Sequence, residues 1–297
     1  MKDKLPQTKG KLLFGVDLKK YTRLGVGGAA EIMFFPKDID DLRFFVQNVS
    51  DDMPCFILGG GSNLLVRDGG IKGAVIKLNT PYFRKAVANG DKITCFAGYQ
   101  NANFKKFLPQ HSLGGLEFLA SIPGTIGGLV KTNAGCFGKA LSDVLISAQV
   151  MDGEGHIFEP KPSDFHFSYR KSDFPKDWIV LSLTLQAQKD LPEHIIQIIE
   201  EHRAYREARQ PCYERTAGST FKNPEGLRAW ELIKNAGCAD LKIGDAKLSE
   251  KHCNFMINSG HATAADFENL GDEIVRRVKE KTGVVLDWEV EKVGLKK

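Results

Sequence analysis

The apolar positions of this chain change their spacing near Leu191. Before that point they come in short runs, and after it they recur at helical intervals. Pro54-Cys55-Phe56-Ile57-Leu58 ends in three glycines and reads as a buried strand feeding a loop. Ala74 to Leu78 and Ile93 to Ala97 predict two further strands, and Ile179 to Leu185 one in which apolar and polar positions alternate. Leu145 to Val150 and Ile157-Phe158 flank Asp152-Gly153-Glu154-Gly155, a hairpin signal. Beyond Pro192, the residues Ile195, Ile198, Ile199, His202 and Tyr205 repeat with a helical period. They predict a helix to about Ala208, framed by Pro192 and Pro211. A last long helix is expected to open at Thr263, with Asp266 as its capping-box partner. It turns Phe267, Leu270, Ile274 and Val278 inward and stops near Gly283.

Strands therefore crowd the first two thirds and helices the last third, which is an α+β layout. At 297 residues the chain is long for one core. The expected division is 1–78, 79–191 and 192–297. An apolar share of 42% and a charged share of 26% are those of an ordinary globular protein. A net charge of +4 agrees with anionic ligands, although solubility alone would explain it. Lys19-Lys20 and Arg276-Arg277 are isolated pairs, so no nucleic-acid partner is expected. The start, Met1-Lys2-Asp3-Lys4-Leu5-Pro6, has no apolar segment, and nowhere do eighteen apolar residues run together. The expectation is a cytoplasmic protein with no membrane association. Its six cysteines are widely spaced without a CxxC, which reads as free thiols and no metal site.

The candidate chemistry lies in loops. Ala217-Gly218-Ser219-Thr220-Phe221-Lys222-Asn223-Pro224 places two hydroxyls, a cation and a carboxamide in a glycine-turned, proline-stopped segment. That density suits a polar ligand, though the same residues are ordinary turn formers. Gly59-Gly60-Gly61-Ser62-Asn63 follows a strand, where backbone N–H groups can cradle a phosphate; a flexible turn is the plainer reading of a bare triple glycine. Ile122-Pro123-Gly124-Thr125-Ile126-Gly127-Gly128 and Asn133-Ala134-Gly135 add two more glycine clusters. A planar ligand with a diphosphate tail needs several such close approaches. Gly25-Val26-Gly27-Gly28-Ala29-Ala30 fits GxGxxA formally, but no apolar strand precedes it and Pro36 follows soon after. There is no GxxxxGK[ST]. Ser249-Glu250-Lys251-His252 lacks a nucleophile elbow and reads as structural or substrate-lining.

These segments, with Ser168-Tyr169-Arg170 and Trp288-Glu289-Val290, closely resemble the UDP-N-acetylenolpyruvoylglucosamine reductase (MurB) family of flavoenzymes. The resemblance runs from about Tyr21 to Val293. It implies a two-part FAD-binding domain of the vanillyl-alcohol-oxidase/PCMH type, residues 1–78 and 79–191, followed by a smaller α+β substrate domain, 192–297. It implies non-covalent FAD held by Gly59, Gly60, Gly61, Ser62, Asn63, Gly124, Thr125, Gly127, Gly128 and Arg206, with NADPH as reductant. Tyr169, Arg209, Lys222 and Asn223 would meet the UDP-sugar. A solvated helix face is the plainer reading of both Arg206 and Arg209 and stays open.

The implied reaction reduces an enolpyruvyl ether, so negative charge builds at a carboxylate. Arg170 is the expected grip on it, because a guanidinium stays charged and binds bidentately. Ser219 is the expected proton donor by match to the family motif, and Glu289 the third catalytic residue, expected to have a raised pKa in its apolar setting. The plainer alternatives are a strand-end arginine, a serine bonding its own turn, and a glutamate paired with Lys292. The chain departs from the family at Trp288, where proline is usual, and at Asp245, where glycine is frequent. The short segment between Arg170 and Ile179 resembles the family's type II form. A monomer is expected. The rival readings are an oxidase of the same fold acting on a hydroxy acid or sugar, whose reduced form would reoxidise quickly in air, and a nucleotide-binding module without chemistry, which would purify colourless.

Overall fold

The computed structural model describes residues 5–50 and 52–297; of the start read for a leader, residues 1–4 lie outside the described residues. Contacts gather the chain into two units. One comprises residues up to Phe14, Ile32–Gly60 and Gly73–Ala204; the other comprises Gly15–Glu31, Gly61–Lys72 and Tyr205–Lys297.

In the first unit a five-stranded antiparallel sheet runs in the order Ile157–Phe158, Leu145–Met151, Ile179–Gln186, Lys92–Phe96, Ala86–Asn89. Ile179–Gln186 is its middle strand, and its apolar residues are buried on both faces. Its alternation is therefore one of aliphatics with small hydroxyls: Thr184 Oγ1 meets Thr94 Oγ1 across the sheet at 3.1 Å. The expected hairpin is present, with Val150 opposite Phe158. A four-stranded sheet runs Lys11–Asp17, Ala29–Phe35, Ile71–Ile76, Cys55–Ile57, the last two strands parallel with Phe56 opposite Val75. Phe34, Phe45, Ile76, Ile93, Phe118, Leu181 and Ile195 belong to one continuous core. The glycines of the GxGxxA match lead into the strand Ala29–Phe35 and not into a helix, so no helix N-terminus is there to receive a phosphate.

The helix Pro192–Arg209 matches its expected span, but only Ile195 and Ile199 are buried, and Tyr205 stays exposed. His202 instead stacks on Phe137, ring centroids 3.8 Å apart.

The second unit holds a sheet that the apolar pattern did not suggest: Thr216–Ser219, His252–Asn258, Ala246–Ser249, Lys242–Ile243. Its strands are short and rich in polar residues, so no period of two stands out. Against it packs the helix Ala264–Thr282, burying Phe267, Leu270, Ile274 and Val278. Its capping box is reciprocal: Asp266 N donates to Thr263 Oγ1 (3.1 Å) and Thr263 N to Asp266 Oδ2 (2.8 Å). Asp68 adds a carboxylate at the same end, accepting from Ala264 N and Ala265 N at 3.0 Å each. Gly283 closes the other end at φ +75°, as the sequence reading required.

Candidate active site

In the first unit, strand Cys55–Ile57 leads through Leu58 into the triple glycine. The three glycines there have different reasons. A Cβ on Gly59 would meet only Thr125 Oγ1, at 3.1 Å, in otherwise open space. One on Gly60 would meet Gly124 Cα at 2.5 Å, so Gly60 is fixed by close approach of two loops. One on Gly61, at φ +60°, would run into Tyr21 O. A side chain at position 60 would therefore break the loop pairing before it reached any ligand.

The Ile122–Gly128 loop is held by Asn101, which is fully buried: Asn101 Nδ2 donates to Ile122 O (3.2 Å) and Asn101 N to Gly124 O (3.1 Å). Gly127 packs on Ala97, whereas nothing lies within 4 Å of a Cβ placed on Gly128. Gly59, Thr125, Gly127 and Gly128 line one cleft, partly open to solvent. Its walls are Leu78, Phe174, Trp178 and Val180. A planar ligand could lie against that apolar wall while open backbone at Gly59 and Gly128 receives polar oxygens. The residues present therefore fit a flavin nucleotide. Lys77 and Lys131 also line the cleft and were not singled out from sequence, because an isolated lysine near a strand end carries no motif.

Arg170 occupies the second corner of a tight turn in which Ser168 N donates to Lys171 O (3.1 Å) and Lys171 N to Ser168 O (3.2 Å). Its φ is +52°, a left-handed conformation that a non-glycine residue adopts at a cost of about 1 kcal/mol. Its Nη2 donates to Gly135 O at 2.8 Å, and its guanidinium lies 5.2 Å from the Tyr169 ring centroid. Buried Asn133 bridges the same region, donating to Ser168 O (3.3 Å) and accepting from Ser142 N (3.0 Å). The Asn133-Ala134-Gly135 cluster thus positions Arg170. Its glycine is required by close packing on Lys139 and Ala140, not by an approach to a ligand.

In the second unit, Ser219 ends strand Thr216–Ser219 opposite Phe255. Among the described residues its half-buried hydroxyl has no hydrogen-bond partner, so it does not close its own turn. The next hydroxyl behaves differently: Thr220 is buried, and its Oγ1 accepts from Met256 N at 3.3 Å. The chain beyond Ser219 pairs with the Glu289 segment. Glu289 N donates to Thr220 O (2.8 Å), Lys222 N donates to Asp287 O (2.9 Å), and Phe221 sits opposite Trp288. Asn63 Nδ2 donates to the Glu289 carbonyl at 3.0 Å. Ser219, Lys222, Glu289 and Asn63 are thereby brought together. Lys292 lies over the Trp288 ring at 4.2 Å. Asn223 Oδ1 accepts from Ala229 N (3.0 Å), capping the helix Ala229–Asn235. Asp245 is held low in pKa by the His261 amide and by Lys242.

Arg206 Nε donates to Gln210 Oε1 (2.8 Å), and Arg209 lies 4.1 Å from the Tyr205 ring centroid. Arg23, which the sequence reading passed over, donates to Cys212 O at 3.0 Å. Burial and the positive charge of Arg206 both lower its pKa. Two guanidinium groups held near each other suit an anionic ligand. His252, near Ser249, packs against Phe255 and Trp230, and burial lowers its pKa, as a structural histidine's would be.

Residues 30–160 match an FAD binding domain, so the chain falls in the class of flavin-dependent oxidoreductases. Residues 210–293 match the C-terminal domain of UDP-N-acetylenolpyruvoylglucosamine reductase. A reductase of that name from Paramagnetospirillum magneticum is 44% identical over 296 residues, covering 100% of this chain and 96% of the relative. One from Rhodospirillum rubrum is 43% identical over 298 residues, covering 99% and 93%. The crystal structure of the enzyme from Thermus caldophilus superposes with a TM-score of 0.81 at 34% identity, covering 96% of this chain and 99% of that one. The chain belongs to the UDP-N-acetylenolpyruvoylglucosamine reductase family. Among the described residues no helix is long and apolar enough to cross a membrane, and no cluster of side chains could hold a metal.

Proposed function

We propose that this chain reduces the enolpyruvyl group of UDP-N-acetylglucosamine enolpyruvate, giving UDP-N-acetylmuramate for peptidoglycan synthesis, with NADPH as reductant and in the cytoplasm. Residues 1–78 and 79–191 form the two parts of the cofactor domain and 192–297 the substrate domain. FAD, when bound, supplies hydride to the terminal carbon of the double bond. Gly59 to Asn63, Gly124, Thr125, Gly127, Gly128 and Arg206 hold it. Tyr169, Arg209, Lys222 and Asn223 bind the nucleotide-sugar.

Arg170 grips the substrate carboxylate and stabilises the enolate-like charge that builds there. Its rigid turn presents the guanidinium without further ordering, which is the gain from preorganisation. Glu289, as a carboxylic acid, donates a hydrogen bond to the same carboxylate. Ser219 delivers the proton to the carbon beside it. An aliphatic hydroxyl is a weak acid, and it serves here because the acceptor is a strongly basic carbanion.

The observation that carries this reading is the backbone pairing between Thr220–Phe221 and Trp288–Glu289, which supports a shared site for Ser219 and Glu289. Stopped-flow absorbance of the two half-reactions tests it. Ser219→Ala should leave bleaching of the flavin by NADPH almost untouched and nearly stop the return of colour on adding substrate. Ser219→Cys, whose group is more acidic, should recover part of the second step. Equal slowing of both steps in Ser219→Ala would reduce Ser219 to a loop former. Thr220→Ala should lose stability without that selectivity, because its hydroxyl is bonded in the interior.

A further inference from the structure

The cleft of the first unit is lined by two ammonium groups, Lys77 and Lys131. Lys77 follows the strand Ile71–Ile76, and its backbone amide donates to Phe34 O at 2.9 Å, which fixes the root of the side chain. Its Nζ donates to Gly59 O at 2.6 Å. A peptide's C=O and N–H point to opposite sides, so this bond turns the Gly60 amide away from Lys77. Burial lowers the Lys77 ammonium from the usual 10.5 to about 8. A cation kept against the loss of its hydration is stabilised by an opposite charge beside it.

We propose that Lys77 is a cofactor-positioning cation: its ammonium fixes the Gly59 carbonyl and supplies positive charge to the diphosphate of FAD bound in this cleft. The assignment rests on the reading of the cleft as the FAD site. Lys131 lines the same cleft as a second cation, and the open space at Gly59 admits phosphate oxygens next to Lys77. A lysine that only braced the loop would be indifferent to the charge of the ligand. That difference is measurable.

The test titrates flavin-stripped protein with FAD and with riboflavin, which lacks phosphate, reading the flavin fluorescence. Lys77→Met should weaken FAD about tenfold or more, the scale of one charge-assisted hydrogen bond, while riboflavin shifts by less than about twofold. Lys77→Gln keeps a donor for the Gly59 carbonyl without the charge, and it should lose FAD affinity as Met does. Lys77→Arg should recover much of it. Full rescue by Gln, or equal losses for FAD and riboflavin in Met, would make Lys77 a brace and overturn the proposal. Unchanged FAD binding in Lys77→Met would do the same. Gly59→Val separately checks the cleft, since φ at Gly59 tolerates a side chain and its methyls would enter the open space. It should weaken both ligands. If it weakens neither, the cleft is not the flavin site, whatever Lys77 does.

Discussion

At the scale of single residues, the site is defined by how side chains are prepared before any ligand arrives. Arg170 is the clearest case: a left-handed φ of +52°, a bond to Gly135 O and a ring beside it leave few orientations open. Arg170→Gly should relieve the strained φ and leave the thermal midpoint equal or higher, yet remove turnover. Arg170→Lys keeps a charge but not the planar fork, and should lower kcat roughly a hundredfold or more while KM changes far less. Steady-state kinetics with melting curves on both variants checks this; a near-normal kcat in Arg170→Lys would mean that only a point charge matters. Family motifs nominate Arg170, Ser219 and Glu289. The residues that brace the cleft loops and the Arg170 turn carry no such signal. Asn133, Asn101 and Lys77 act through carbonyls that are remote in sequence, at Ser168, Ile122 and Gly59, and no local pattern announces such partners.

At the scale of elements, the last helix shows what local sequence encodes and what it does not. Thr263, Asp266 and Gly283 define its two ends by backbone chemistry alone, and those signals were readable. Gly271 in its middle was not. A Cβ there would run into the indole of Trp288, so the helix carries a notch for that ring. Trp288 also meets the Phe221 ring at 5.3 Å and Lys292 at 4.2 Å, which seats the segment bearing Glu289. Gly271→Ala should therefore cost about 1–3 kcal/mol by overpacking, despite the better helix propensity of alanine. Adding Trp288→Phe, which removes the ring that fills the notch, should restore much of that loss. Denaturant unfolding of the single and double variants decides it. A stabilised Gly271→Ala would show that the notch is not needed. The four-stranded sheet of the same unit was hidden for a related reason: Lys242–Ile243 and Ala246–Ser249 are too short to show a period, and their pairing with His252–Asn258 decides their conformation.

At the scale of the whole molecule, the two units each have their own core, and the chain passes between them repeatedly, at Phe14, Glu31, Gly60, Lys72 and Ala204. A change of period along the sequence marks element types but cannot reveal which distant segments share one core. The buried cation has a consequence at this scale as well. Lys77 titrates near 8 when folded and near 10.5 when unfolded, so between those values the unfolded chain binds the extra proton. Stability then rises with pH across that window, and below pH 8 the penalty is fully present. Flavin-stripped protein should gain thermal stability relative to Lys77→Met as pH rises from about 8 toward 10.5. A constant difference between the two across that range would contradict the buried cation.

The central claim, that this chain is a flavin-dependent reductase of an enolpyruvyl nucleotide-sugar, is tested most directly by one spectrum followed through two additions. The purified protein should show flavin absorbance in the visible, lose it on anaerobic addition of NADPH, and regain it on addition of UDP-N-acetylglucosamine enolpyruvate with formation of UDP-N-acetylmuramate. A protein that bleaches with NADPH but recovers its colour only when air is admitted, and not with that substrate, would contradict the account.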